Sequence, residues 1–107
     1  MPVEVNDSDF KETVIASKTP VLLEFWSPSC PYCLKMAKVV DLVAEEYAGR
    51  LKVVKMNILE NAHTPVKYGV NGIPAFFFIR NGEVGGQTVG VMPKGRLKKD
   101  LGLDKLD

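Results

Sequence analysis

The 107-residue chain reads as an α/β domain: a mixed central sheet flanked by helices on both faces, in the order β-α-β-α-β-α-β-β-α. Three observations lead there. Short apolar runs of strand length alternate with segments of helical period. Strands separated by helices pair in parallel. Finally, Asn81-Gly82 sits between two strand-like runs and is the strongest short signal for a two-residue hairpin, which adds antiparallel strands.

The elements follow in order. Val3–Val5 reads as a short edge strand. Asn6, Asp7 and Ser8 offer N-caps for a helix through about Ser17, with Phe10, Val14 and Ile15 as its apolar stripe. Pro20 ends that region. Val21–Trp26, interrupted only by Glu24, reads as a strand buried on both faces, and Pro28 stops it. From Cys33 to Tyr47, Met36, Ala37, Val40, Val43, Ala44 and Tyr47 recur at threes and fours, with Lys38, Asp41, Glu45 and Glu46 mainly on the polar side. Gly49 stands where a helix-terminating glycine belongs. Leu51–Ile58 is the next strand, and Glu60 to Tyr68 is irregular or helical. Ala75–Arg80 and Glu83–Val89 form the hairpin, and Pro93 to Leu101 closes as a helix.

Composition bounds the function. With 46% hydrophobic and 25% charged residues the chain is an ordinary globular domain, large enough for a real core. A net charge of +1 gives no global electrostatic case for nucleic acid or a membrane surface. The basic cluster Lys94, Arg96, Lys98 and Lys99 reads as the solvated face of the last helix, opposite Leu97 and Leu101. The N-terminus lacks the basic and apolar regions of a secretory signal, and the apolar run Ala75–Ile79 is too short to span a bilayer, so a cytoplasmic location is expected. In a reducing compartment two cysteines are a poor structural staple. Their Cys-Pro-Tyr-Cys spacing points to redox or metal chemistry. A structural zinc site needs about four ligands, and this chain offers two cysteines and the distant His63. A cluster shared between two chains would need four thiolates from a dimer.

Cys30 falls just after a central strand and Cys33 in the first turn of the following helix. At that corner two sulfurs reach disulfide distance. The helix end presents unpaired N–H groups and about half a positive charge, and both favour thiolate. Pro31, which has no N–H, suits the first helical position. The expected mechanism is attack by the more exposed Cys30 on a substrate disulfide, followed by attack of Cys33 on the mixed disulfide. The Pro-Tyr dipeptide leaves the Tyr32 N–H as a donor toward the Cys30 sulfur.

Leu23-Glu24-Phe25-Trp26 leading to Cys30-Pro31-Tyr32-Cys33 resembles the active-site approach of thioredoxins. Lys67-Tyr68-Gly69-Val70-Asn71-Gly72-Ile73-Pro74, then Asn81-Gly82-Glu83, then Val89-Gly90, resemble later landmarks of that family in the right order and spacing. The resemblance covers nearly the whole chain and implies a thioredoxin fold. It also implies a protein-disulfide reductase with a redox-active Cys30–Cys33 disulfide and no bound cofactor. Pro74 would be the cis-proline facing the disulfide, with Ile73 offering backbone hydrogen bonds to a bound peptide. Trp26, Pro31, Tyr32, Gly72, Ile73, Pro74, Gly90 and Val91 would make the substrate-docking surface. Glu24 matches the family's buried aspartate. Independently of the family, a lone acid inside a buried strand has a raised pKa and suits a proton acceptor for Cys33. Lys55 matches the lysine on the neighbouring strand and would partner Glu24.

This chain departs from the family at four places. Ser29, preceded by Pro28, replaces the tryptophan before the first cysteine, and Lys38 replaces the proline that bends the active-site helix. Leu59 stands for the aspartate that ends the third strand, and Pro-Tyr replaces Gly-Pro between the cysteines, which is the glutaredoxin choice. The implied partners are disulfide-containing proteins and a flavin-dependent thioredoxin reductase using NADPH, acting on a monomer. One alternative is a glutaredoxin-like enzyme recharged by glutathione. Against it, about thirty residues precede Cys30, more than glutaredoxins normally carry. Another is a binding module on a thioredoxin fold, for which two cysteines serve no purpose.

Overall fold

The computed structural model describes residues 2–107. Five strands form one sheet in the order β1-β3-β2-β4-β5: β1 (Val3–Glu4), β2 (Val21–Trp26), β3 (Lys52–Asn57), β4 (Ala75–Arg80) and β5 (Glu83–Val89). Among the described residues the α-helices are α1 (Pro31–Glu46), α2 (Thr64–Lys67) and α3 (Lys94–Leu101). β1 and β2 both run parallel to β3, whereas β4 is antiparallel to β2 and to β5. The mixed sheet and the element order are those expected, but β2 and β4 pair antiparallel although helices separate them in the chain.

Alternation along each strand divides the core in two. On one face Leu22, Val53, Phe76 and Phe78 pack with Met36, Val40 and Val43 of α1 and with Leu97 and Leu101 of α3. On the other, Leu23, Phe25, Val54, Phe77 and Ile79 pack with Phe10 and Val14. β2 is central and contributes to both cores, hence its near-continuous apolar run.

The first helical segment departs from a regular α-helix. It is a 3-10 turn at Asp7–Asp9 followed by a π-helical turn at Lys11–Ile15, whose Ala16 N–H reaches back to the Lys11 carbonyl at 2.9 Å. Three consecutive β-branched residues, Thr13, Val14 and Ile15, crowd an α-helical turn, and Lys52 Nζ draws the Thr13 carbonyl away at 2.9 Å. Of the stretch from Glu60 to Tyr68, only Thr64–Lys67 is helical. Asp7 holds its start by accepting from the Thr64 N–H at 2.9 Å and the His63 N–H at 3.0 Å.

The β4–β5 hairpin turns at Asn81 (φ 53°) and Gly82 (φ 80°), the left-handed pair that a type I′ turn requires. Gly86 meets a different demand: a Cβ there would lie 2.5 Å from the Leu101 carbonyl oxygen, so only glycine lets α3 approach β5.

Candidate active site

The site is built at the corner where β2 hands over to α1. The connecting turn is held by its serines. Ser29 N–H donates to Ser27 Oγ at 3.2 Å, the two hydroxyls lie 2.9 Å apart, and Cys30 N–H donates to the Ser27 carbonyl at 3.1 Å. Cys30 is thereby fixed in extended backbone (φ −100°, ψ 106°) as the N-cap of α1, with Pro31 at the first helical position. Its Sγ accepts the Cys33 N–H at 3.1 Å. The donor is thus Cys33 and not the Tyr32 N–H that the dipeptide suggests. The geometry selects Cys33 because it is the third helical residue, and a cap side chain is reached by the second or third amide.

Cys30 and Cys33 form a disulfide, with Cα atoms 5.2 Å apart. Cys30 is 9% exposed and Cys33 2%, which ranks Cys30 as the more reachable sulfur. Cys30 Sγ lies 3.9 Å from the Ile73 carbonyl oxygen, and the Ile73–Pro74 peptide bond is cis. Gly90 N–H donates to the Pro74 carbonyl at 2.9 Å, and Met92 N–H donates to Met36 Sδ at 3.4 Å, so α1 anchors the segment that follows β5. Ile73 therefore lies beside Cys30, with Gly72 and Pro74 next to it in the chain and Gly90 hydrogen-bonded to Pro74. Tyr32 and Val91, 60% and 50% exposed, add apolar surface next to Pro31 and Gly90 in the chain.

Glu24 is wholly buried, and neither carboxylate oxygen has a hydrogen-bond partner. Burial pushes its pKa up to about 7. The Lys55 charge pulls the other way, while Glu4 and Asp41 add to the rise. Lys55 is the register partner of Glu24 on β3, as expected of a neighbouring-strand lysine. Its ammonium does not form an ion pair with the carboxylate. It sits 4.3 Å from the centroid of the Trp26 ring, where the negative π-face holds a cation. Trp26 in turn donates its Nε1–H to Glu4 Oε1 at 3.0 Å.

Sequence reading missed Glu4, Met36 and Ser27 at this site. Strand alternation puts Glu4 on the face opposite the buried Val5, but no local pattern shows that it meets a tryptophan two strands away. Leu59, in place of the family's aspartate, is 65% exposed. α1 continues without interruption through Lys38 for 16 residues.

The arrangement suits dithiol exchange. A Cys30 thiolate at this helix end receives a backbone N–H and the positive end of the helix dipole, and nucleophilic sulfur is what disulfide exchange needs. A Thioredoxin family profile matches residues 1–102. The thioredoxin of Haemophilus influenzae is 44% identical over 95 residues, covering 89% of each chain. That of Synechocystis sp. is 41% identical over 98 residues, covering 92% of each. That of Pseudomonas aeruginosa is 43% identical over 95 residues, covering 89% of this chain and 88% of its own. The chain is a thiol–disulfide oxidoreductase that reduces protein disulfides through Cys30 and Cys33, and it works by its own redox-active disulfide without a cofactor. Shared landmarks along almost its full length, on the fold and with the dithiol corner just described, make it a member of the thioredoxin family.

Proposed function

We propose that the chain is a monomeric, cytoplasmic reductase in which Cys30 is the nucleophile, Cys33 the resolving thiol and Glu24 the proton acceptor for Cys33. The Cys30 thiolate attacks one sulfur of a substrate disulfide, forming the mixed disulfide and expelling the other substrate sulfur as thiolate. Glu24 takes the Cys33 proton. The Cys33 thiolate then attacks Cys30, closes the Cys30–Cys33 disulfide and releases the second substrate thiolate, so two electrons pass from the dithiol to the substrate. The observation that carries the assignment is the position of Cys30 as N-cap of α1, more exposed than Cys33 and facing the Ile73 carbonyl.

Trp26, Pro31, Tyr32, Gly72, Ile73, Pro74, Gly90 and Val91 form the docking surface in this reading, with an extended substrate segment hydrogen-bonding to Ile73. An open groove of about 300 Å³ lined by Val70, Asn71, Gly72 and Val89 flanks it and gives partner preference a place to act.

A thioredoxin reductase using NADPH is the electron donor in this reading, and the names of the relatives support it. The Pro31-Tyr32 dipeptide favours a second reading, recharge by glutathione. Against that stand β1 and the helical turns that precede the active-site strand. Reduction kinetics with NADPH plus thioredoxin reductase, against glutathione plus glutathione reductase, decide between them. Turnover only in the glutathione arm overturns the first reading. Turnover that survives the double Cys→Ser variant would remove the dithiol mechanism altogether.

The dipeptide also bears on redox poise. Thioredoxins as a class lie near about −270 mV and glutaredoxins at roughly −200 to −230 mV. With a glutaredoxin-type dipeptide in a thioredoxin framework, this chain is expected between them. Equilibration in a glutathione redox buffer measures the value, and a result at or below the thioredoxin potential would show that the framework, not the dipeptide, sets it.

A further inference from the structure

Glu4, Lys55 and Glu24 are register partners across β1, β3 and β2. Partners in a parallel pair share a face of the sheet, so the three form one row: carboxylate, ammonium, carboxylate. The row runs from solvent to core, with Glu4 exposed, Lys55 half-buried and Glu24 wholly buried. Trp26 follows Glu24 by two residues on the same face, and its indole reaches across the sheet. The Nε1–H ends on Glu4 Oε1 at 3.0 Å, and the Lys55 ammonium lies 4.3 Å from the ring centroid. One side chain on the edge strand therefore fixes the indole, and the indole face fixes the cation nearest the buried acid.

We propose that Glu4 is a positioning residue for the resolving step: it locks the Trp26 indole over Lys55 and, across the sheet, governs how Glu24 gives up and regains its proton. The proposal rests on Glu24 acting as proton acceptor only for its kinetic consequence, not for the coupling itself.

In the oxidised protein, where Cys30 and Cys33 are joined, the charged groups that act on Glu24 are Lys55 from β3, Glu4 from β1 and Asp41 from α1. Those that face Glu4 are Lys55 and Glu60, besides the Trp26 N–H. Two strand spacings put Glu4 about 10 Å from Glu24. At that distance, in the intermediate dielectric of a sheet edge, a unit negative charge opposes ionisation of Glu24 by roughly half a pH unit. Removing the charge lets Glu24 ionise at lower pH. Removing the acceptor as well frees the indole, and with it Lys55 becomes free to turn toward Glu24.

The test uses the full chain with ¹³C-labelled glutamate and ¹⁵N-labelled tryptophan. Trp26 is the single tryptophan, so its indole signal is unambiguous. In Glu4→Gln, which keeps an acceptor oxygen, the Glu24 carboxyl midpoint should fall by about half a unit while the indole N–H resonance holds its position. In Glu4→Leu the indole resonance should move, the Glu24 midpoint should fall further, and the pH midpoint of mixed-disulfide resolution should fall with it. A Glu24 midpoint unchanged in both variants overturns the proposal. Glu24→Gln serves as the control for the other reading: if it keeps the wild-type pH profile of resolution, Glu24 is not the proton acceptor. Glu4's hold on Glu24 is then judged by the carboxyl signal alone.

Discussion

Glu24 and Glu46 are the same side chain in opposite surroundings. Glu24 lies in the central strand β2, wholly buried, with no hydrogen-bond partner, and burial lifts its pKa to about 7. Glu46 ends α1 on the surface, where Lys98 and Lys94 of α3 both donate to it and together hold its carboxyl below the ordinary value. Desolvation wins at the first site because the nearest cation, Lys55, is committed to the Trp26 ring. Ion pairing wins at the second because water already solvates the carboxylate and the lysines only add to it. The pairing is good for docking α3 on α1. Proton transfer near neutral pH calls for an acid left unpaired.

The strongest test of this division is at the cysteines themselves. Cys30→Ser should lower disulfide-reductase turnover by about 10³-fold or more, as loss of a nucleophile does. Its thermal unfolding, compared in the reduced state, should stay close to wild type. Cys33→Ser should accumulate a mixed disulfide with substrate, detectable by mass spectrometry. If alkylation of the reduced protein at neutral pH labelled Cys33 first, the roles would be exchanged.

Glu24→Gln comes next. Loss of a general base in the resolving step should slow release from the mixed disulfide by about 10²-fold, measured by stopped flow. The sign of its pH effect on stability follows from the raised pKa. Between the ordinary value of 4.5 and the folded value of about 7, the folded state holds a proton that the unfolded state has lost. Stability therefore falls as pH rises through that window, by up to about 3 kcal/mol, and levels off above it. Denaturant titrations at pH 4.5 and pH 8 should show this fall in wild type and not in Glu24→Gln. Resolution at the wild-type rate from pH 6 to 9 would leave Glu24 a structural residue only.

Glu46→Gln should have the smallest effect. Its folded pKa is depressed, so its contribution to stability is present above the ordinary value and is lost as pH falls below it. Chemical denaturation should show a slight loss near neutral pH that shrinks in 1 M salt, with turnover unchanged. A change in reductase rate would mean that the far end of α1 communicates with the disulfide.

Most of the sheet was legible because its signals are local. The Val21–Trp26 run implies burial on both faces, Asn81-Gly82 implies a two-residue turn, and the threes and fours from Met36 to Tyr47 imply a helix lying on the sheet; all three are found. The first helix was legible only as a helical segment, since whether a β-branched run settles as α or π depends on what draws its carbonyls away. At the site, the Cys30–Cys33 spacing carried its own chemistry. The identity of the donor to Cys30 Sγ required the cap geometry, and the partner of the Trp26 indole required the sheet.

The sequence by itself determined the order of elements, the dithiol corner and the burial of the acid in β2, because each depends on residues a few positions apart. Only the tertiary structure decided what surrounds that acid. Glu4, Lys55 and Glu24 lie more than fifty residues apart at the extremes, and they meet because parallel register sets them in one row across three strands. Lys55 could have closed on Glu24, and the charges alone favour it. The indole, held from the sheet edge by Glu4, offers the ammonium an alternative seat, and that long-range choice leaves Glu24 buried, unpaired and protonatable near neutral pH.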